Sequence, residues 1–410
     1  MGSLAAQAGL LVCALAALSS AAAPSGADVG VLGQKPLEPI LFQEIDNTSP
    51  RRPRGLDVWL PTNAPNATEY RAYSSKGFAG GRGISIITTR QRIASFAHVS
   101  RSPDTNTHSS GLFEKREVPG KGRGLFATKW IRRGDRLFTE TPILLIDDSV
   151  YVKGVSMVEA LEDEAIGKLP PDAQEAFWSL HAKPSVAHAA TARIDPNAFE
   201  IPLGQANYYG VFPDISLINH ECRPNTAYEF DAKTLTHSVY AIMDIPPGAE
   251  LSLTYIDVTR TREERMERLR HGWGFNCTCS SCSLQAELSD ASDKRLVQID
   301  DLESRLGNGG WEFASLEMAE ALISLYQQEQ LDIWLSSAYG YAALMHCAEG
   351  NYWKTIRYAH LAVESHLLNA SPSDIPLANM RKIAKDPTKE SCWLIRVRGG
   401  TGTDDEVQSR

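Results

Sequence analysis

GFNCTCSSC, Gly274 to Cys282, places three cysteines in six positions as C-x-C-x-x-C. Thiols crowded in this way suit a metal better than a disulfide framework, which needs spread, paired cysteines. A closed zinc shell takes four ligands, and no further Cys or His follows nearby. The natural fourth thiolate is Cys222, upstream in SLINHECRPN, Ser216 to Asn225. Of the seven cysteines, Cys13 lies in an apolar N-terminal run, and Cys347 and Cys392 fall in a helical region, where each reads as a buried hydrophobe.

The 410 residues suffice for two or three domains. Hydrophobic content of 43% and charged content of 22% are ordinary for a globular chain. The net charge of −9 gives no basic bias for direct nucleic-acid binding and suits a basic protein substrate. After the N-terminus, no stretch is long and apolar enough to span a membrane. Residues 1–23 read either as a secretory signal, with Ala21-Ala22-Ala23 as cleavage site, or as a disordered apolar tail.

Residues 24–112 read as a linker and a poorly defined N-terminal region, rich in Pro, Asn and Thr up to about residue 70 and holding one strand, ISIITT from Ile84. Residues 113–148 alternate as strands, 156–182 look helical, and 211–256 return to strands, the last being AELSLTY into Tyr255. TREERMERLRHGWGF opens as a charged helix ending at Gly272. From about 290 the chain is helical. AALMHCAEGNYWKTIRYAHLAVES is similar to one tetratricopeptide-like pair, and an ordinary helical hairpin fits equally well.

Two more stretches carry chemistry. PGKGRGLFA sets Gly120, Gly122 and Gly124 where backbone can approach a ligand, without the Lys-Ser/Thr pair of a phosphate loop. IPPGAELSLTY ends on Tyr255, and Asn219-His220 precedes Cys222. Taken singly, each has an ordinary structural explanation in a hairpin, a capped turn or a core tyrosine.

In this order the four stretches resemble the SET-domain protein-lysine methyltransferases. GKGRGLFA looks like that family's first S-adenosylmethionine (AdoMet) loop, SLINHECRPN like its N-H-x-C-x-P-N pseudoknot strand, ELSLTY like its E-L-x-x-x-Y segment, and GFNCTCSSC like its post-SET zinc loop. The nearest subtype is the SET-and-MYND group and its fungal relatives, without the MYND finger, since no other cysteine cluster exists. The resemblance implies an α+β fold: a SET-type β-fold with pseudoknot over 113–260, a helical insert at about 150–205, a post-SET zinc loop over 261–285, and a helical, tetratricopeptide-like region over 290–410.

It further implies one structural zinc ion on Cys222, Cys277, Cys279 and Cys282. AdoMet would lie against Gly122, Arg123, Gly124, Asn219, His220 and Phe275, with Asn197 in DPNAF as a looser match. Tyr255 would stand at the mouth shared with a lysine channel. The expected reaction is methyl transfer to a lysine of a protein, histone or non-histone, with a partner on the C-terminal helices. The alternatives are a non-catalytic SET-fold interaction module and a zinc-ribbon nucleic-acid binder; the latter lacks a basic patch and a second C-x-x-C pair. An AdoMet enzyme is expected in nucleus or cytoplasm, whereas the N-terminus and the sequons at Asn47, Asn66, Asn276 and Asn369 point to export.

Overall fold

The computed structural model describes residues 68–99, 105–108, 111–308, 314–368 and 375–399. The signal-like run and the Pro-rich stretch to residue 67 lie outside them. Among the described residues no helix is long and apolar enough to cross a membrane.

The strands are β1 (Tyr70–Ser75), β2 (Ile84–Thr89), β3 (Thr107–His108), β4 (Phe113–Val118), β5 (Gly122–Ala127), β6 (Arg136–Glu140), β7 (Leu144–Asp147), β8 (Ala198–Leu203), β9 (Ala206–Val211), β10 (Asn219–His220), β11 (Thr226–Asp231), β12 (Thr236–Ala241) and β13 (Ser252–Leu253). They form a five-stranded sheet of order β1-β2-β7-β9-β8, a four-stranded sheet of order β11-β12-β6-β3, and the pairs β4-β5 and β10-β13. ISIITT lies inside the first sheet, between β1 and β7, and is buried along nearly its whole length, which its β-branched residues favour. It pairs antiparallel with β1 and parallel with β7. Residues 70–89 therefore belong to the main sheet, a correction to the expectation of an ill-defined N-terminal region. Their strand partner, β7, lies about 60 positions downstream, beyond the reach of local patterning.

The insert contains α1 (Val155–Gly167), α2 (Pro171–Trp178) and α3 (Thr191–Asn197). The helix expected over 156–182 is broken at Pro170-Pro171, where one proline disfavours helix before the other and the second starts α2. The helix α4 (Arg262–Trp273) opens on a reciprocal capping box between Thr261 and Glu264. It closes on Gly274 at φ 80°, the left-handed cap that glycine adopts without strain. The chain then turns directly into the cysteine loop.

The C-terminal part comprises α5 (Ala286–Asn308), α6 (Leu316–Gln328), α7 (Leu335–Ala348), α8 (Tyr352–His366) and α9 (Ile375–Lys385). The pair α7–α8 is the expected helical hairpin. Its buried alanines, Ala342, Ala343, Ala359 and Ala362, permit close approach. Cys347 and Cys392 are joined in a disulfide, with Cα atoms 5.5 Å apart. The expectation of two separate buried thiols is thus corrected. Their pairing depends on how the segment after α9 folds back, which no spacing reveals. The core of this region is continuous with Cys222 and the three loop cysteines.

Candidate active site and cysteine cluster

The strand β10 pairs in parallel with β13, placing Asn219 beside Ser252 and His220 beside Leu253. Asn225 fastens this pair from the side. Its Oδ1 accepts from the Ser252 backbone N–H at 2.9 Å, and its Nδ2 donates to Glu250 O at 2.8 Å. The strand expected to run into Tyr255 stops at Leu253. Tyr255 is held by its own bonds instead: its backbone N–H donates to His220 Nδ1 at 3.1 Å, and its hydroxyl donates to Ile218 O at 2.8 Å. Burial pushes this phenol above its ordinary range.

Because His220 Nδ1 accepts, the neutral ring carries its proton on Nε2, which faces Cys222 Sγ at 3.4 Å. Burial lowers this imidazole to about 4. Both ring nitrogens are thereby committed, so a ligand would meet the backbone or the ring face of His220. The rings of Tyr255 and Phe275 lie 5.3 and 6.2 Å from it, and Trp273 stands 5.4 Å from Tyr255. Trp273 is fixed by an N–H bond to Pro196 O at 3.0 Å, and Lys183 caps the end of α4 through His271 O and Gly272 O.

The glycine loop meets this wall through Asn219, whose Nδ2 donates to Arg123 O at 3.2 Å and Glu250 Oε1 at 2.7 Å. A Cβ on Gly124 would come within 2.6 Å of Glu250 Oε1 and 2.9 Å of Asn219 Nδ2, so glycine there permits a close approach. Gly122 has φ 76° and faces open space. The Arg123 guanidinium turns away to Ser179 O. Asn197 lies beside the Trp273 anchor, yet its Nδ2 is spent on His181 O and Arg193 O inside the insert.

Cys222, Cys277, Cys279 and Cys282 are all buried, and their sulfurs lie within 4.8 Å of one another. Four sulfurs at about 2.3 Å from a tetrahedral zinc would stand about 3.8 Å apart; Cys222 and Cys282 are separated by 3.6 Å. The donor set and its size fit a zinc ion.

Sequence reasoning did not single out Glu250, Trp273 or Arg265. Glu250 and Trp273 fall inside or beside quoted motifs, at the first position of E-L-x-x-x-Y and two residues before Phe275. Arg265 carries no local signal.

The SET domain family matches residues 122–256. Histone-lysine N-methyltransferase set5 of Schizosaccharomyces pombe is 30% identical over 200 residues, 48% of this chain and 59% of that protein. Histone-lysine N-methyltransferase SMYD3 of Homo sapiens is 33% identical over 153 residues, 35% of each chain. N-lysine methyltransferase SMYD2 of Mus musculus is 33% identical over 115 residues, 28% of this chain and 25% of that protein. The matched segments thus span between a quarter and three fifths of these relatives. Residues 122–256 thus match the SET domain family, and in this part the chain is similar to proteins named as lysine methyltransferases, set5, SMYD3 and SMYD2.

Proposed function

We propose that this chain transfers a methyl group from AdoMet to the side-chain nitrogen of a lysine in a protein substrate. The carrying observation is that one imidazole, His220, touches both the aromatic wall and the sulfur cluster, through Tyr255 N and Cys222 Sγ. A metal-closed loop and a cofactor pocket are then one construction. Such a pseudoknot and post-SET zinc loop are part of the reading, with Cys222, Cys277, Cys279 and Cys282 as a closed, structural shell.

AdoMet, when bound, supplies an electrophilic methyl on a cationic sulfur. Backbone groups of Gly122, Arg123 and Gly124 bind its amino-acid end. Asn219 Oδ1, which has no partner among the described residues, accepts from its ammonium. The backbone of His220 meets the adenine edge, and Phe275 covers the ring. Asn197 acts by shaping the insert behind Trp273.

Tyr255 aligns rather than deprotonates. Its hydroxyl gives its hydrogen to Ile218 O, leaving the oxygen to accept from the lysine amine. A phenol whose burial raises it above its usual range is a poor base at neutral pH. Lysine, near 10.4 in water, loses its charge by entering an apolar aromatic enclosure next to a cation. Orientation is then the main source of rate. The acidic chain suits a basic peptide around the lysine.

A second reading, a non-catalytic module in an oxidising compartment, is favoured by the Cys347–Cys392 disulfide. Calorimetry with AdoMet, followed by methyl transfer onto a mixed protein lysate, separates the two. Binding with transfer is the expected result. Binding without transfer selects the module, and no binding removes the enzyme. Zinc-free protein is expected to lose AdoMet binding together with order in residues 274–285; unchanged affinity would refute the link between ion and pocket.

A further inference from the structure

Arg265 is the largest fully buried side chain among the described residues, with 1% of its surface exposed. It projects from α4, whose other buried residue is Leu269. Its terminal nitrogens donate to Arg260 O at 2.5 Å and to Ser281 Oγ at 3.2 Å. Its Nε is buried and has no hydrogen-bond partner among the described residues. Among the described residues no Asp or Glu forms a salt bridge with it. A guanidinium cannot shed its proton, and burying it without an anion is strongly unfavourable. Its partner Ser281 directly precedes Cys282 in the buried cysteine loop, and the nearby sulfurs of Cys222 and Cys282 act to raise its pKa.

The charge balance identifies the missing anion. Four thiols crowded within 4.8 Å and still protonated would be neutral and leave Arg265 uncompensated. Four thiolates around a divalent cation carry a net charge of −2, which is itself costly to bury. One buried guanidinium halves that excess, and the His220 Nε2–H adds a neutral donor to Cys222 Sγ.

We propose that Arg265 is the built-in counter-ion of the four-sulfur centre, a positioning residue that holds the cluster as metal-bound thiolates and anchors its loop through Ser281. The inference rests on the zinc reading of the cluster. It accounts for a buried cation in a helix that sequence alone marks only as charged.

The test is zinc affinity of the full chain, measured by competition with a chromogenic chelator, with thiol labelling to count reactive cysteines. R265M is expected to weaken zinc binding about 10- to 100-fold and expose the thiols to reagent. R265K keeps the charge but loses the planar fork, and is expected to recover most of that loss. In cobalt-substituted protein the sulfur-to-metal charge-transfer band should shift in R265M and return in R265K. Wild-type affinity in R265M, or an R265K as weak as R265M, would overturn the role. If R265M does not fold, R265K decides alone: near wild-type affinity supports the counter-ion, and loss of zinc refutes it. Wild-type protein that takes up no zinc would instead remove the metal reading itself, a separate result from zinc held equally by wild type and R265M.

Discussion

Arg223, the neighbour of Cys222, donates to Glu329 Oε2 at 2.6 Å across 106 positions of chain, and both side chains are buried. Glu329 also accepts from Ser292 Oγ and Arg295 Nε, each at 2.7 Å. One carboxylate at the end of α6 thus ties the C-terminal helices to the cysteine that completes the cluster. Glu329→Ala would leave the Arg223 charge buried and unpaired, and is expected to cost about 3–5 kcal/mol by denaturant unfolding. A loss below about 1 kcal/mol, the range of surface pairs, would show that the contact is incidental.

Gly124→Ala places a methyl against Glu250 and Asn219. The clash falls on the side chain that positions Asn219, so AdoMet affinity should drop about tenfold or more, a 1.4 kcal/mol effect at least. Gly122→Ala meets open space and bears only the strain of φ 76°, so it should chiefly lower stability, by about 1 kcal/mol. Calorimetry and melting curves of the two variants, compared side by side, test this division of roles.

Tyr255→Phe removes the bond to Ile218 O without altering the ring. We expect AdoMet binding within a factor of a few of wild type and a turnover about 10²-fold lower, as misalignment of a reacting pair costs. Since burial raises the phenol, the pH–rate profile of wild type should show no tyrosine ionisation up to pH 10. Full turnover in the Phe variant would assign alignment to another group.

His237 packs among the rings of Phe199, Phe212, Tyr228 and Phe230, edge-on or tilted, and its Nδ1 is buried without a partner among the described residues. Burial lowers it to about 3 from an ordinary 6.5. The unfolded chain therefore binds this proton more tightly than the folded one. Stability is intact above pH 6.5 and is lost as pH falls toward 3, by at most about 1.4 kcal/mol per pH unit. His237→Phe should flatten that part of a denaturation-versus-pH curve. An unchanged slope would mean that other groups govern acid unfolding.

The Cys347–Cys392 bridge closes 45 residues of sequence. Chain entropy assigns such a loop about 4 kcal/mol. Replacing both cysteines by serine should lower the denaturation midpoint of the C-terminal helices accordingly while leaving zinc content unchanged. Loss of zinc in this variant would show that the two sulfur sites are not independent.

C-x-C-x-x-C and the glycine loop could be read before any fold was known, because metal chelation and close backbone approach demand particular residues at short spacing, whereas N-H-x-C and E-L-x-x-x-Y gained meaning only from the resemblance of the four stretches, in their order, to the SET family. The strand run ISIITT, the charged helix and the α7–α8 hairpin were legible for the same local reason. Only the tertiary structure decided that residues 70–89 complete the main sheet, that His220 faces inward to a sulfur, that Arg265 is buried, and that Cys347 pairs with Cys392. Each of these depends on which distant group arrives alongside, and the free energy of a buried charge or an unpaired strand edge is set by that neighbour. A residue's own position in the chain carries no record of it.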